Sequence, residues 1–174
     1  LTVLAVVAGL TSPVVASAHD HWLSPSSPTL ARPGDVSVRL VYGEHLAPEG
    51  EHAFEAKKLA RFGLVAGKWA RELRSLGVEG KKPLGKVALS RAGGYVFVAD
   101  RTTQYLTLEP QKFDEYLEEE KLADVLAERM KRGEQKKPGR ERYTRFLKSL
   151  VIVGEGGDYD ATLVLGQRLE IVLE

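Results

Sequence analysis

The sequence predicts a mainly β protein of antiparallel strands with one helical insertion, and three observations carry that prediction. Short apolar runs are separated by Gly, Pro, Asp and Ser clusters roughly every ten residues. Val36, Val38, Leu40 and Tyr42 alternate with Ser37, Arg39 and Val41, the period of a strand with one face in a core. Helical spacing of apolar residues is concentrated between 111 and 132. At 174 residues, 43% hydrophobic and 28% charged, the chain is an ordinary globular mix, enough for one domain or one domain plus a fragment of another. With 25 Lys and Arg against 24 Asp and Glu the formal charge is +1, so no field gathers nucleic acid or anionic lipid over a whole surface. The absence of cysteine excludes disulfide scaffolds, Fe–S clusters, thiolate zinc sites and thiol nucleophiles. A metal site in this chain must use histidine, carboxylate and backbone groups.

Leu1 to Ala18 is uncharged, apolar through Leu10, weakened at Thr11, Ser12 and Pro13, and closed by Ala16-Ser17-Ala18. That is the h-region, c-region and A-x-A end of a secretory signal whose charged start is missing. The run is too short for a spanning helix, which needs roughly 20 apolar residues. Cleavage after Ala18 makes His19 the mature N-terminus, and an exported, cysteine-free protein is expected in a bacterial periplasm, peripheral to the membrane at most. His19 to Leu23 is the first expected strand, with Val36 to Tyr42 returning antiparallel to it after Pro33-Gly34-Asp35. Further strands are expected at Leu59 to Val65, Trp69 to Leu73, Leu84 to Leu89, Leu150 to Val153 and Gln167 to Leu173. Gly94 to Asp100, apolar on both faces, reads as a central strand, and Gln104 to Glu109 as its hairpin partner beyond Arg101-Thr102-Thr103.

Pro110 suits the first position of a helix running from Gln111 to about Arg132. Phe113, Tyr116 and Leu117 make one apolar stripe and Leu122, Val125, Leu126 and Met130 another. The step of five between Leu117 and Leu122 predicts a kink or two short helices near Glu120, with Phe113, Leu117, Leu122, Val125 and Leu126 packed on the sheet. Glu118-Glu119-Glu120 reads as a solvated acidic face, because consecutive helical residues point apart. Lys131 to Arg142 reads as an exposed basic loop, and Tyr143, Phe146, Leu147 and Leu150 continue at helical spacing. Glu155, Asp158 and Asp160 surround a Gly-rich turn, read as a turn rather than a calcium cluster. The pattern at Glu174 is that of mid-strand, so a second β domain is expected to follow 19–174.

All four histidines, at positions 19, 21, 45 and 52, lie in the first third of the chain. A mature terminus His19-Asp20-His21 offers an α-amine, two intervening amide nitrogens and the His21 imidazole, a square-planar set that suits Cu(II) or Ni(II). Alternatively, the His19 ring and amine chelate one metal while a second histidine closes a T-shaped brace. Antiparallel pairing of the first two strands brings Gly43-Glu44-His45 near the terminus, and His52, in a polar loop, folds over the same place. The expected metal-site residues are His19, Asp20, His21, His45 and His52. No G-x-S-x-G, phosphate loop or H-E-x-x-H is present, so no catalytic residues are assigned.

Ala18-His19-Asp20 with Trp22-Leu23, then Gly43-Glu44, Phe113 with Tyr116-Leu117, Arg140 to Arg145, and Gly166 to Val172 resemble an exported bacterial family of unknown-function domains. Its members are described as periplasmic components of cobalt or nickel uptake, related to the nickel-uptake substrate-specific component. The resemblance covers essentially the whole mature chain. It implies an Ig-like or transthyretin-like antiparallel β-sandwich, with the helical insertion near 111–132 and a second β domain beyond. It also carries over His19 as a ligand at the mature terminus. His21 departs from the family pattern, which makes the planar chelate a property of this chain. The expected function is capture of Ni(II), Co(II) or Cu(II) without chemistry, for delivery to an inner-membrane transporter. Two alternatives stand beside it: a β-sandwich adaptor for an envelope protein or glycan, and a copper oxidase with a histidine brace.

Overall fold

The computed structural model describes residues 19–155 and 162–172. Residues 1–18, where a secretory signal is expected, and Asp158 and Asp160 of the Gly-rich turn lie outside the described residues. The chain is mainly β, and it divides into a β unit, His19–Thr107 with the described part of Arg140–Glu174, and a helical unit, Leu108–Gly139.

The β unit opens with β1 (Asp20–Pro25), a two-residue β2 (Thr29–Leu30), β3 (Gly34–Glu44) and β4 (Ala47–His52). It continues through β5 (Leu59–Ala66), β6 (Trp69–Glu72), β7 (Gly85–Leu89), β8 (Gly93–Arg101) and β9 (Gln104–Leu108). After the helices come β10 (Gly139–Tyr143) and β11 (Phe146–Val153). In one sheet, β3 carries β1 along one edge and shares the other between β7 at its start and β4 at its end, all antiparallel. The second sheet has the order β2-β11-β8-β5-β6, with β2 parallel to β11 and the other pairs antiparallel.

Period-two patterning decides which side chains meet. Leu23, Val36, Val38, Leu40, Val87 and Leu89 of the first sheet join Phe62, Leu64, Tyr95, Phe97, Ala99, Val151 and Val153 of the second in one buried cluster. The two inner faces thus form the sandwich core that alternation along β3 predicts. β8 is central, as its apolar character on both faces predicts. It does not form the expected hairpin with β9. Both edges of β8 are taken, by β5 and β11, so β9 pairs with β10 instead. The helical spacing from Tyr143 to Leu150 is coincidental, since those residues belong to β10 and β11. Gln167 to Val172 is not a strand among the described residues. Side chains satisfy its backbone locally: the Glu170 carboxylate accepts from the Gln167 N–H at 3.1 Å, and the Lys148 ammonium donates to the Ile171 carbonyl at 3.1 Å.

The helical unit holds α1 (Pro110–Glu119) and α2 (Ala123–Lys131), broken at the predicted place. Phe113, Tyr116 and Leu117 form its own buried cluster, joined by Leu108 and Leu126. The expected docking of Leu122 and Val125 is corrected: they are 40% and 47% exposed, and Met130 is 56% exposed. Position 129, on the inward side of α2, is occupied by Arg129, whose guanidinium is buried against Asp114 at 2.7 Å and lies 5.2 Å from the Phe113 ring centroid. A charged residue with an apolar stem therefore fills the space the stripe assigns to Leu122 and Val125. Gly139 closes against the face of Phe113, where a Cβ would collide with the ring. Glu118, Glu119 and Glu120 are exposed, as a solvated face requires. No helix among the described residues is long and apolar enough to cross a membrane.

Candidate functional site

The first two histidines are placed by strand alternation. In β1, Asp20 pairs with Gly43, His21 with Tyr42 and Leu23 with Leu40. Leu23 and Leu40 are core residues, so His21 and His19 lie in line with them on the inner face, one and two steps beyond the apolar cluster. Alternation sends Asp20 to the opposite face, where it is exposed and away from the imidazoles.

His52 reaches the same place from the other side of β3. It ends β4 opposite Leu40, with Gly50 opposite Tyr42, so it belongs to a strand and not to the expected loop. Gly50 is required there because a Cβ would run into the Tyr42 phenol ring. The register shifts between Tyr42 and Gly43, a bulge that turns β3 into β4. A Cβ at Gly43 would meet the Ala47 carbonyl. His45 and Leu46 form the hairpin tip with φ of 51° and 61°, the pair of positive values that a type I′ turn uses. His45 is exposed at that tip and joins none of the ring contacts or hydrogen bonds of the cluster among the described residues. The structure therefore brings His19, His21 and His52 together around Tyr42 and leaves Asp20 and His45 outside.

The rings form a compact group. His21 and His52 stack with centroids 5.0 Å apart and planes 13° from parallel. Tyr42 lies 4.9 Å from His52 and 5.5 Å from His19, edge-on to the latter. The His19 Nε2–H donates to the Glu49 carboxylate at 2.8 Å, which leaves Nδ1 as the lone-pair nitrogen. The His21 Nδ1–H donates to the His19 carbonyl at 2.7 Å, which leaves Nε2 bare. Nε2 of His52 is buried and has no hydrogen-bond partner.

Electrostatics keep the stacked pair neutral. Burial, then the Arg145 charge, lowers the pKa of His21 from 6.5 to about 4. Burial, then Arg101 and Lys58, lowers that of His52. Neutral imidazoles are ligands that need lose no proton on binding. The planar chelate expected from the sequence is at odds with β1. Each five-membered ring through N–Cα–C–N needs ψ near zero, whereas a strand residue such as Asp20 has ψ near +115 to +135°. Among the described residues no group of three or more His, Cys, Asp or Glu side chains is placed to hold a metal. A site here must add a donor other than these side chains.

Sequence reasoning missed Tyr42 as a site residue, although it ends a strand that was paired with the first; it missed Glu49, which lies in a strand it read as a loop, and it assigned no role to Arg101 or Arg145. Arg101 follows Phe97 and Ala99 at two-residue intervals on the inner face of β8. Its backbone N–H donates to the Arg145 carbonyl at 2.9 Å, which puts both guanidinium-bearing residues at one end of the core. Arg145 also lines a cleft of about 650 Å³, together with His19, His21, Lys148, Gln167 and Leu169, among others.

Neither a curated protein sequence nor a solved structure matches the chain. The model of one family, Domain of unknown function (DUF4198), matches residues 16–174 and so takes in every strand and both helices. The chain is a member of the DUF4198 domain family.

Proposed function

We propose that this is a periplasmic protein that captures a transition metal ion, Ni(II), Co(II) or Cu(II), for an inner-membrane transporter and performs no chemistry on it. The observation that carries the reading is the fixing of ring tautomers. Glu49 and the His19 carbonyl each occupy one ring nitrogen of His19 and His21, so His19 Nδ1 and His21 Nε2 are left as donors. This is the arrangement of outer-shell acceptors that orients ligating imidazoles in metal sites. The buried Nε2 of His52, which has no hydrogen-bond partner, offers an alternative to His21 as the second imidazole. With His19 at a processed terminus, its amine and Nδ1 chelate the metal and His21 or His52 closes the T-shaped brace. The donor set is nitrogen only, which favours Cu(II) over Ni(II) and Co(II), and these over Mg(II) or Ca(II). The resemblance to cobalt and nickel uptake components supports the transport role.

Titration of the protein beginning at His19 with Cu(II) and Ni(II) tests this. One extra residue before His19 should abolish tight binding, and Glu49→Gln should weaken it by about tenfold or more. Copper EPR should show imidazole and amine nitrogens without the pair of amide nitrogens of a planar chelate. Equal binding by wild type, extended and His52→Ala proteins would sink the reading and promote the adaptor function.

A further inference from the structure

The inner face of the five-stranded sheet ends in arginines. Arg101 is 9% exposed and its Nε has no hydrogen-bond partner. Register places Arg101 directly opposite Arg145, one step beyond the Asp100–Phe146 pair, and directly opposite Leu59 on the other side. Opposed residues of an antiparallel pair project to the same face. The Thr102 N–H donates to the Lys58 carbonyl at 3.1 Å, so a third cation starts from the same place.

Among the described residues no ion pair reaches Arg101 or Arg145. Arg145 lies over the Tyr143 ring at 4.3 Å, and Lys58 pairs with Glu55 at 2.7 Å. Facing the arginines are the neutral imidazoles of His21 and His52, and the Glu55 carboxylate, already bonded to Lys58, acts on Arg101 without forming an ion pair with it. A buried guanidinium without a counter-charge is costly, and native structures pair such groups. The contrast within this chain is direct: Arg129, equally buried, has Asp114.

We propose that Arg101 and Arg145, with Lys58 beside them, form a binding site for a small oxyanion that presents coplanar oxygens, a carboxylate or a phosphate. The guanidinium fork matches two such oxygens at once. The Arg145 guanidinium, its plane held over the Tyr143 ring, supplies donors on the cleft side, and Arg101, opposite it in register, supplies the second positive charge. The cleft that Arg145 lines with His19 and His21 reaches the site from the Arg145 side. The site stands on the arginines alone and does not require the histidines to bind metal.

The test uses metal-stripped full-length protein, prepared on a chelating resin because soluble polycarboxylate chelators are themselves candidate ligands. Malonate and phosphate are added separately at constant ionic strength, with chloride as the control. At least one of the two should raise the melting temperature by several degrees, shift the Arg101 Nε–H resonance in a ¹H–¹⁵N spectrum, and bind calorimetrically. The malonate and phosphate arms tell the two sources of oxyanion apart. Arg101→Gln and the more accessible Arg145→Gln should each weaken binding tenfold or more, whereas His52→Ala should leave it within twofold. An unmoved Arg101 signal with both anions, or undiminished binding by folded Arg145→Gln, overturns the proposal. Loss of metal binding in His52→Ala with anion binding intact separates this site from the metal reading.

Discussion

Histidine 21 shows how one position governs both ligand readiness and acid stability. Its folded pKa of about 4 lies below the ordinary 6.5, and that of His52 is displaced in the same direction, in both cases mainly by burial. A base with a depressed folded pKa takes up its proton more readily in the unfolded chain, so acid favours unfolding. The contribution to stability is fully present above pH 6.5 and is lost as pH falls through the window from 6.5 to about 4. The melting temperature of metal-free protein should therefore decline between pH 7 and pH 4.5, and the decline should be shallower in a His21→Phe variant. An identical slope in both proteins would mean that the imidazole is not desolvated in the fold. Glu49 was not legible in the sequence as a partner of His19, because the two are 30 residues apart and meet only through the β3–β4 hairpin.

At the scale of elements, the helical unit separates amphipathic pattern from burial. Leu126 packs against the Phe113, Tyr116 and Leu117 cluster, while Val125, its neighbour in the sequence stripe, is half exposed. Leu126→Asp should lower the melting temperature sharply, since a carboxylate forced among apolar side chains costs several kcal/mol. Val125→Asp should change stability by less than about 0.5 kcal/mol, as surface substitutions do. Similar losses from both, measured by thermal or urea melts, would mean that both side chains are buried. The break between α1 and α2 was legible from the five-residue step. The inward place of Arg129 was not, because a charged residue on an apolar face is identified only once its partner, Asp114, is in view.

For the molecule as a whole, the sandwich core is the source of rigidity behind the ring cluster. Phe62 and Phe97, both fully buried, stand at its centre. Phe97→Ala should cost about 3–5 kcal/mol, a large share of the roughly 5–15 available to a domain. Chemical denaturation would register that loss, and a change under about 1 kcal/mol would be incompatible with the packing described. Phe97, Ala99 and Arg101 follow one another along the same inner face, so the core and the cationic end are parts of one strand.

What the sequence determined by itself is local and periodic: the β class, β3 and β8, the paired first strands, the divided helix, and the gathering of His19, His21 and His52 within a larger expected set that also held Asp20 and His45. Alternation of period two is written in the chain and needs no partner to be read. Tertiary structure decided the rest. It gave both edges of β8 to β5 and β11, turned His45 into a hairpin tip, and sent Asp20 to the far face. It also set Arg101 and Arg145 at the imidazole end of the core with no ion pair to either among the described residues. Strand neighbours and counter-charges are chosen by competition among segments distant in sequence, and burial fixes the outcome.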